Sequence, residues 1–264
     1  MIFKGDDVEL YYEIRGEGPD VVLLHPYPSD HSFWWPLAGH LESRFRLILP
    51  DLRGLGRSGV GEGAATMTKL ADDLLRLCDA LRIDRAAFGG CSVGGYVLFE
   101  FWRRARERVK SLVLMDTRAG ADTAEGRAGR LKSAEDALRM GPEWSIEQTL
   151  PKLLAPGTLR SRPDVVESAR ETMRHATAAG LAAMQRGMAE RADSIPTLAE
   201  IDAPVLVLGG EHDAPTPVGE LERMARGIRG AELKIIPGAG HFAPIEKPDE
   251  VGRLLREFLE LHGR

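Results

Sequence analysis

Short runs of purely apolar residues are the feature of this chain that most constrains its fold. They occur at 21–24 and 205–208, where every residue is Val or Leu. A strand that is apolar on both sides of its pleat must be buried on both faces, as in parallel sheets covered by helices. Between such runs, the leucines of 67–81 recur at helical three- and four-residue steps. The chain is therefore predicted to have an α/β fold with a mostly parallel central sheet flanked by helices.

Other segments extend this alternation along most of the chain. An antiparallel strand is expected at 8–14, before the parallel part of the sheet. Further strands are predicted at 46–49, 86–88, 112–115 and 233–236, and helices at 93–105 and 249–261.

One interval, 120–196, breaks the alternation because it contains no convincing strand. Its helical patches fall at 128–140, 145–154, 164–176 and 181–192. We therefore predict an α/β core formed by 1–119 and 197–264, with 120–196 inserted as a helical cap. Such an insertion lies most naturally over the carboxyl edge of the strands, where open α/β folds bind ligands.

Composition excludes several classes of function. The 264 residues carry a net charge of -5, and this argues against a nucleic-acid partner. The chain contains no apolar stretch of membrane-spanning length and no signal-like N-terminus, so a cytoplasmic protein without a membrane partner is expected. Two cysteines form neither a disulfide framework nor a metal motif. Because phosphate-loop and dinucleotide fingerprints are also missing, no cofactor and no metal are predicted.

The segment 88–96 carries the predicted chemistry. Gly90, Ser92 and Gly94 match the pattern G-x-S-x-G, between an apolar strand and an apolar helix. Such a turn exposes the serine at a sharp bend and needs small neighbours, because a Cβ two residues away would collide with the turn. The serine also lies at a helix N-terminus, which favours negative charge. Ser92 is therefore the predicted nucleophile, with Cys91 as a small buried neighbour.

A serine hydroxyl requires a base, and the base requires an acid to orient it. His241 follows the last predicted strand in a glycine-rich turn that can carry an imidazole over the sheet edge. Asp213 follows the strand 205–208, so the predicted members occur in the chain order Ser92, Asp213, His241. Asp116 also ends a strand and is the rival acid; a role in the site wall or in local turn geometry is the other interpretation.

Two backbone N–H groups are the predicted oxyanion hole. One belongs to Val93, directly after the nucleophile. The other is assigned to Tyr27, because Pro26 and Pro28 on either side of it have no N–H. His25 is expected to support this loop by hydrogen bonds.

Together these segments resemble the α/β-hydrolase superfamily over nearly the whole chain. The resemblance rests on the blocks 24–28, 51–58, 90–95, 210–213 and 240–246, in that order. Residues 114–119 and 122–127 are similar to the 3-oxoadipate enol-lactonase and small carboxylesterase branch. One departure is Pro26, where the family usually has glycine after the histidine; Pro28 is similar to the loop proline of cofactor-free perhydrolases.

The resemblance implies a helical cap and a serine hydrolase that cleaves a small-molecule carboxylic ester or lactone through an acyl-enzyme. An enol-lactonase or carbon–carbon bond hydrolase for a carboxylated substrate is the alternative, and perhydrolysis is an implied side activity. The carboxylated substrate requires a cation in the pocket, for which Arg118, Arg127, Arg130 and Arg186 are candidates. A non-catalytic receptor on the same fold is the alternative of another class, and an intact triad argues against it.

Aromatic and methionine side chains are the candidates for substrate contact. Phe33 and Trp34 follow the oxyanion loop, whereas Trp144 and Met184 belong to the predicted cap. Because such residues also fill protein interiors, their predicted place in the pocket is weighed against a place in the core.

Overall fold

The computed structural model describes residues 1–263, and its strands form a single eight-stranded sheet. The strands are β1 (Ile2–Lys4), β2 (Glu9–Arg15), β3 (Asp20–Leu24), β4 (Arg46–Pro50), β5 (Ala86–Cys91), β6 (Val109–Met115), β7 (Val205–Gly210) and β8 (Glu232–Ile236). Their order across the sheet is β1-β2-β4-β3-β5-β6-β7-β8. Only the pairs β1–β2 and β2–β4 are antiparallel, which confirms the predicted α/β class with a mostly parallel sheet.

The central strands are buried on both faces, as their apolar runs require. In β3, Val21 and Leu23 belong to one core cluster, and Val22 and Leu24 belong to another on the opposite face. All four side chains are fully buried. This alternation follows from the two-residue period of a strand.

Helices cover both faces of the sheet. On one side lie α1 (Trp35–Leu41) and α12 (Pro248–His262), and on the other lie α2 (Met67–Ala80), α3 (Val93–Ala105) and α10 (Val218–Gly227). Short 3-10 turns occur at His31–Trp34 and Arg106–Arg108, and the short helices α9 (Ile195–Leu198) and α11 (Ala243–Glu246) complete the core. Within residues 1–263, no helix combines the length and the hydropathy needed to cross a membrane.

Six helices lie between β6 and β7, and five of them fall wholly within the interval for which the cap is proposed. They are α4 (Ala124–Met140), α5 (Pro142–Leu153), α6 (Pro156–Ser161), α7 (Pro163–Glu171) and α8 (Ala178–Ala189). Proline begins α5, α6 and α7, where its fixed φ suits the first helical position. These prolines divide the interval into more helices than the periodicity alone indicates.

The inserted helices share the cores of the sheet. Leu181 and Met184 of α8 belong to the cluster that contains α2 and α3. Leu150 of α5 and Ala169 of α7 belong to the cluster that contains α1 and α12. The insertion therefore packs across the carboxyl edge of the strands and joins both apolar layers.

Candidate active site

Ser92 lies at the sharp turn between β5 and α3. Its backbone has φ +52° and ψ −113°, in the left-handed half of the map that non-glycine residues avoid. A Cβ on Gly90 would lie 2.5 Å from the carbonyl carbon of Gly94, and one on Gly94 would collide with the carbonyl oxygen of Leu24. Glycine at position 90 thus permits the tight turn around Ser92, and glycine at position 94 permits the close contact of α3 with β3.

Hydrogen bonds hold the strained turn in place. The N–H of Ser92 donates to the carbonyl of Met115 at 2.9 Å. The carbonyl of Ser92 accepts from the N–H of Gly95 at 2.9 Å and from the hydroxyl of Thr117 at 2.7 Å. The neighbouring strand β6 and the residues after it therefore determine the position of the hydroxyl-bearing residue.

His241 and Asp213 form a buried pair beside this turn. His241 Nδ1 lies 2.9 Å from Asp213 Oδ1 and 2.8 Å from Oδ2, and both side chains are almost fully buried. Thr216 holds Asp213 in place: its N–H donates to Asp213 Oδ1 at 2.8 Å and its hydroxyl donates to Oδ2. A carboxylate held in this way fixes the orientation and tautomer of the imidazole, because it accepts the Nδ1 proton and leaves Nε2 free to accept another.

A second buried carboxylate, Glu246, secures the loop that carries His241. Its Oε1 accepts the N–H of Gly240 at 2.7 Å. Its Oε2 accepts the N–H of Ala155 at 2.9 Å and the hydroxyl of Thr158 at 2.5 Å. Glu246 therefore joins the turn between α5 and α6 to the residue that precedes the imidazole.

Ser92 and His241 line one cavity of about 330 Å³, the size of a small-molecule site. The cavity lies between the sheet edge and the inserted helices. Besides these two residues, its walls are formed by Tyr27, Tyr96, Arg118, Arg130, Ser133, Thr149, Lys152, Leu153, Gln185, Met188 and Pro215.

The loop after β3 brings Tyr27 to the wall of this cavity, and Val93 begins α3 directly after Ser92. The Tyr27–Pro28 peptide is cis. The expected support from His25 is present: Nε2 accepts the N–H of Leu52 at 2.9 Å, and Nδ1 donates to the carbonyl of Pro26 at 3.0 Å. Burial lowers the pKa of His25, so its ring is neutral and available for this pair of bonds.

Three residues expected to contact substrate lie in the core instead. Phe33 and Trp34 are fully buried, because the 3-10 turn at His31–Trp34 directs them into the core cluster that contains α1 and α12. There Phe33 packs edge-on against Phe242, the residue before α11. Met184 is equally buried, on the face of α8 that packs with α2 and α3. Trp144 lies at an adjoining chamber that shares Tyr27 and Lys152 with the Ser92 cavity, so only this fourth candidate stays near the site.

The rival acid Asp116 is next to the His241–Asp213 pair but has a different hydrogen-bond partner. Its Oδ1 accepts the N–H of Gly210 at 2.8 Å, and its side chain is fully buried.

Cys91 is also fully buried, and this burial raises the pKa of its thiol well above the usual value. A neutral, enclosed thiol is a poor nucleophile.

Sequence reasoning missed Thr216 and Lys152. The spacing Asp213-x-x-Thr216 is a signal for the first, because an aspartate often accepts an N–H from a residue two or three positions later in a turn. Lys152 has no such local signal, since only the packing of α5 against the sheet edge brings it to the cavity.

Cations are concentrated at the cavity wall. Arg118 and Arg130 line it and bind the buried carboxylate of Asp122, which Arg191 also contacts at 3.0 Å. Burial alone would raise the pKa of Asp122, but the hydrogen bonds and charges of these arginines outweigh it and lower the pKa. Lys152 makes no ion pair within the described part of the chain, so the wall carries excess positive charge. The candidates Arg127 and Arg186 are exposed and do not line the cavity.

Asp30, His31 and Asp51 also bring their ligand-type atoms together outside the cavity. Their hydrogen bonds account for this grouping. Asp51 Oδ1 contacts both the N–H and Nδ1 of His31, and its Oδ2 accepts the N–H of Arg57. Asp30 accepts the N–H of Ser32 and contacts His175. These bonds support the loop after β3, and this structural role explains why the three side chains lie together.

Comparison with known proteins places this geometry in a family. The family described as "alpha/beta hydrolase fold" matches residues 19–248. A thermophilic esterase from Thermogutta terrifontis is 42% identical, with a TM-score of 0.93 over 96% of this chain and 93% of that chain. The enol-lactonase from Burkholderia xenovorans LB400 is 30% identical, with a TM-score of 0.89 over 96% and 97%. The 3-oxoadipate enol-lactonase 1 of Acinetobacter baylyi is 26% identical over 98% of this chain and 96% of its own. The fold, the turn at Ser92 and these likenesses together show that the chain belongs to the α/β-hydrolase family.

Proposed function

We propose that this protein is a serine hydrolase that cleaves carboxylic esters or lactones through a covalent acyl-enzyme. One observation carries the proposal: a buried His241–Asp213 pair faces the same cavity as a serine held in a strained strand-to-helix turn. The similarity to an esterase and to enol-lactonases supports the same reaction class.

Acylation begins when the Ser92 hydroxyl attacks the substrate carbonyl carbon. His241 Nε2 takes the hydroxyl proton as the O–C bond forms, and Asp213 stabilises the resulting imidazolium through Nδ1. The N–H groups of Tyr27 and Val93 donate to the oxyanion of the tetrahedral intermediate. Collapse of the intermediate breaks the bond to the leaving alcohol, which takes the proton from His241.

Deacylation repeats these steps with water. His241 removes a proton from water, and the hydroxide attacks the acyl carbon on Ser92. The bond to Ser92 Oγ then breaks, and His241 returns the proton to this oxygen as the acid product leaves. For a lactone, the alcohol and the acid are parts of one product, so the ring is opened.

The test is Ser92→Ala measured with p-nitrophenyl esters of rising acyl length and with a few lactones. We expect kcat to fall by about four to six orders of magnitude, because a triad acts as a unit. A fluorophosphonate ester should label wild type once, and mass spectrometry should place the label on Ser92.

Cys91→Ala is the matched control, since it removes the neighbouring nucleophilic side chain. Esterase activity that survives in Ser92→Ala and disappears in Cys91→Ala would overturn the assignment of Ser92. Wild-type protein that turns over none of these esters or lactones, yet accepts the phosphonate, would overturn the substrate class.

The excess positive charge at the wall favours a second, narrower candidate: a substrate that carries a carboxylate beside the scissile bond. Asp122 neutralises part of the charge of Arg118 and Arg130, whereas Lys152 is left to bind an anion. A carboxylated lactone or a monoester of a dicarboxylic acid has the complementary charge.

A pair of substrates tests this candidate. With a monomethyl ester of a dicarboxylic acid, Lys152→Met should raise KM about tenfold, and with the neutral dimethyl ester it should leave KM nearly unchanged. Lys234→Met removes the same charge from an exposed position on β8 and controls for long-range effects. Equal effects of Lys152→Met on both esters would refute carboxylate recognition and leave the triad assignment intact.

A further inference from the structure

Asp116 is a buried carboxyl group that the hydrolytic mechanism does not use. It follows β6 with φ +43°, another left-handed conformation of a non-glycine residue. Its side chain is fully buried, and its Oδ1 accepts the N–H of Gly210 at 2.8 Å. Within residues 1–263, no N–H or O–H donor reaches its Oδ2. A buried oxygen without a donor is costly, so it requires an explanation.

The carboxyl group that faces Asp116 is that of Asp213. Both aspartates bond to Gly210, because its N–H donates to Asp116 Oδ1 at 2.8 Å and its carbonyl accepts the N–H of Asp213 at 3.3 Å. The other acidic groups around it are the more distant carboxylate of Glu246 and the neutral thiol of Cys91. Two neighbouring carboxylates that are both buried cannot both stay ionised, because the repulsion between them is not screened by water. One of them therefore holds a proton.

The hydrogen-bond donors decide which carboxyl group holds that proton. Asp213 accepts from the N–H and the hydroxyl of Thr216 and from Nδ1 of His241. Asp116 accepts only the N–H of Gly210 among the described residues. Three donors stabilise the charge of Asp213 far more than one donor stabilises that of Asp116. Burial, followed by the charge of Asp213, raises the pKa of Asp116 well above its usual value.

We propose that Asp116 is a neutral carboxylic acid whose Oδ2–H donates a hydrogen bond to Asp213, which makes it a positioning residue for the triad. The inference rests on the proposed function only in giving Asp213 the role of triad acid. Asp116 touches neither substrate nor Ser92 in this role. It supplies a fourth donor that keeps Asp213 ionised and oriented toward His241.

Proton linkage tests the neutral acid without any measurement of catalysis. A carboxyl group whose folded pKa is raised favours the folded state below its unfolded pKa of about 3.9, and this contribution is lost as pH rises toward the folded pKa. Asn at this position does not titrate. The unfolding equilibrium constant of wild type, divided by that of Asp116→Asn, should therefore rise by up to about tenfold per pH unit between pH 5 and 7. Urea titrations of both proteins at several pH values measure this ratio.

A ratio that stays constant over this range would show that Asp116 is ionised in the folded protein, and would overturn the proposal. Wild type labelled with ¹³C at the aspartate carboxyl carbons gives an independent result if the variant does not fold. One carboxyl signal should keep the chemical shift of a protonated acid at pH 7. Ionised shifts for every aspartate would contradict the neutral acid.

Activity separates positioning from a merely structural role. In Asp116→Asn the amide can accept from Gly210 and donate to Asp213, so kcat/KM should stay within about threefold of wild type. Asp116→Ala removes the donor and should lower kcat about tenfold, with little change in KM. Equal loss in both variants would exclude the donor role. The unfolding measurements require no turnover, so a negative result there would leave the assignment of Ser92 intact. Conversely, the activity of Ser92→Ala does not report on the proton of Asp116.

Discussion

At the scale of single residues, the proposed site depends on side chains that anchor its members. Spacing and chain order predict Ser92, Asp213 and His241 as these members. Thr216 gives two hydrogen bonds to Asp213, and its hydroxyl also lies 3.3 Å from His241 Nδ1. Removing such an anchor should reduce catalysis without removing a reacting atom.

Thr216→Val tests this anchor, because valine keeps the shape and the backbone N–H but lacks the hydroxyl. We expect kcat/KM to fall about tenfold, which corresponds to the loss of about 1.4 kcal/mol from a hydrogen bond to a charged group. Steady-state kinetics on a p-nitrophenyl ester measures the loss. Thr68→Val, on the exposed face of α2, is the control with the same change of side chain. An unchanged Thr216→Val enzyme would show that the backbone N–H alone orients Asp213.

At the scale of elements, the contact between α3 and β3 determines the geometry of the turn at Ser92. The backbones approach so closely that a Cβ on Gly94 would collide with the carbonyl of Leu24. In α1, by contrast, a Cβ on Gly39 would meet open space. The same substitution should therefore have opposite effects on stability at these two helical positions.

Gly94→Ala should destabilise the fold by about 1–3 kcal/mol, because α3 must move away from β3. It should also reduce kcat, since Ser92 moves with the helix. Gly39→Ala should stabilise the fold by about 0.5–1 kcal/mol through the helix propensity of alanine. Urea unfolding of both variants measures these changes, and esterase assays follow them. A Gly94→Ala protein as stable and active as wild type would show that the turn at Ser92 tolerates a wider separation between α3 and β3.

The elements that could be predicted from the sequence are those with strong periodicity. The strands at 21–24 and 205–208 and the helix that begins after Ser92 were predicted within a residue or two. Strand β1 and helix α10 were missed, because β1 has only three residues and α10 has an apolar stripe too narrow to stand out.

Phe33 and Trp34 were placed wrongly in the pocket, since their direction depends on a 3-10 turn rather than on composition. Lys152 reaches the cavity only through tertiary packing, which no local pattern reports.

At the scale of the whole molecule, a buried carboxylate connects the inserted helices with the loop that carries His241. Glu246 accepts hydrogen bonds from Gly240 on one side and from Ala155 and Thr158 on the other. The side chain of Glu246 therefore couples the stability of the fold to the position of His241.

Glu246→Ala leaves three donors without an acceptor, and we expect a loss of about 3 kcal/mol in the free energy of unfolding. We also expect lower kcat, because the loop before His241 loses its anchor. Denaturant unfolding and kinetics on the same preparation measure the two effects. Glu190→Ala, at an exposed position after α8, should change stability by less than about 0.5 kcal/mol. If Glu246→Ala lowered stability but left kcat unchanged, the connection would be structural only.

The inserted helices bury side chains in both apolar layers of the sheet, with α8 on one face and α5 and α7 on the other. Swinging them away as a rigid lid would expose apolar surface on both faces at once, at a large cost in free energy. Substrate exchange should therefore proceed through local side-chain movements.

For protein engineering, the same packing means that a segment spanning 120–196 from a relative cannot be transplanted alone. A working chimera would have to carry the partner residues of two separate cores, so new specificities are reached more readily by point substitutions around the cavity than by exchange of the whole segment.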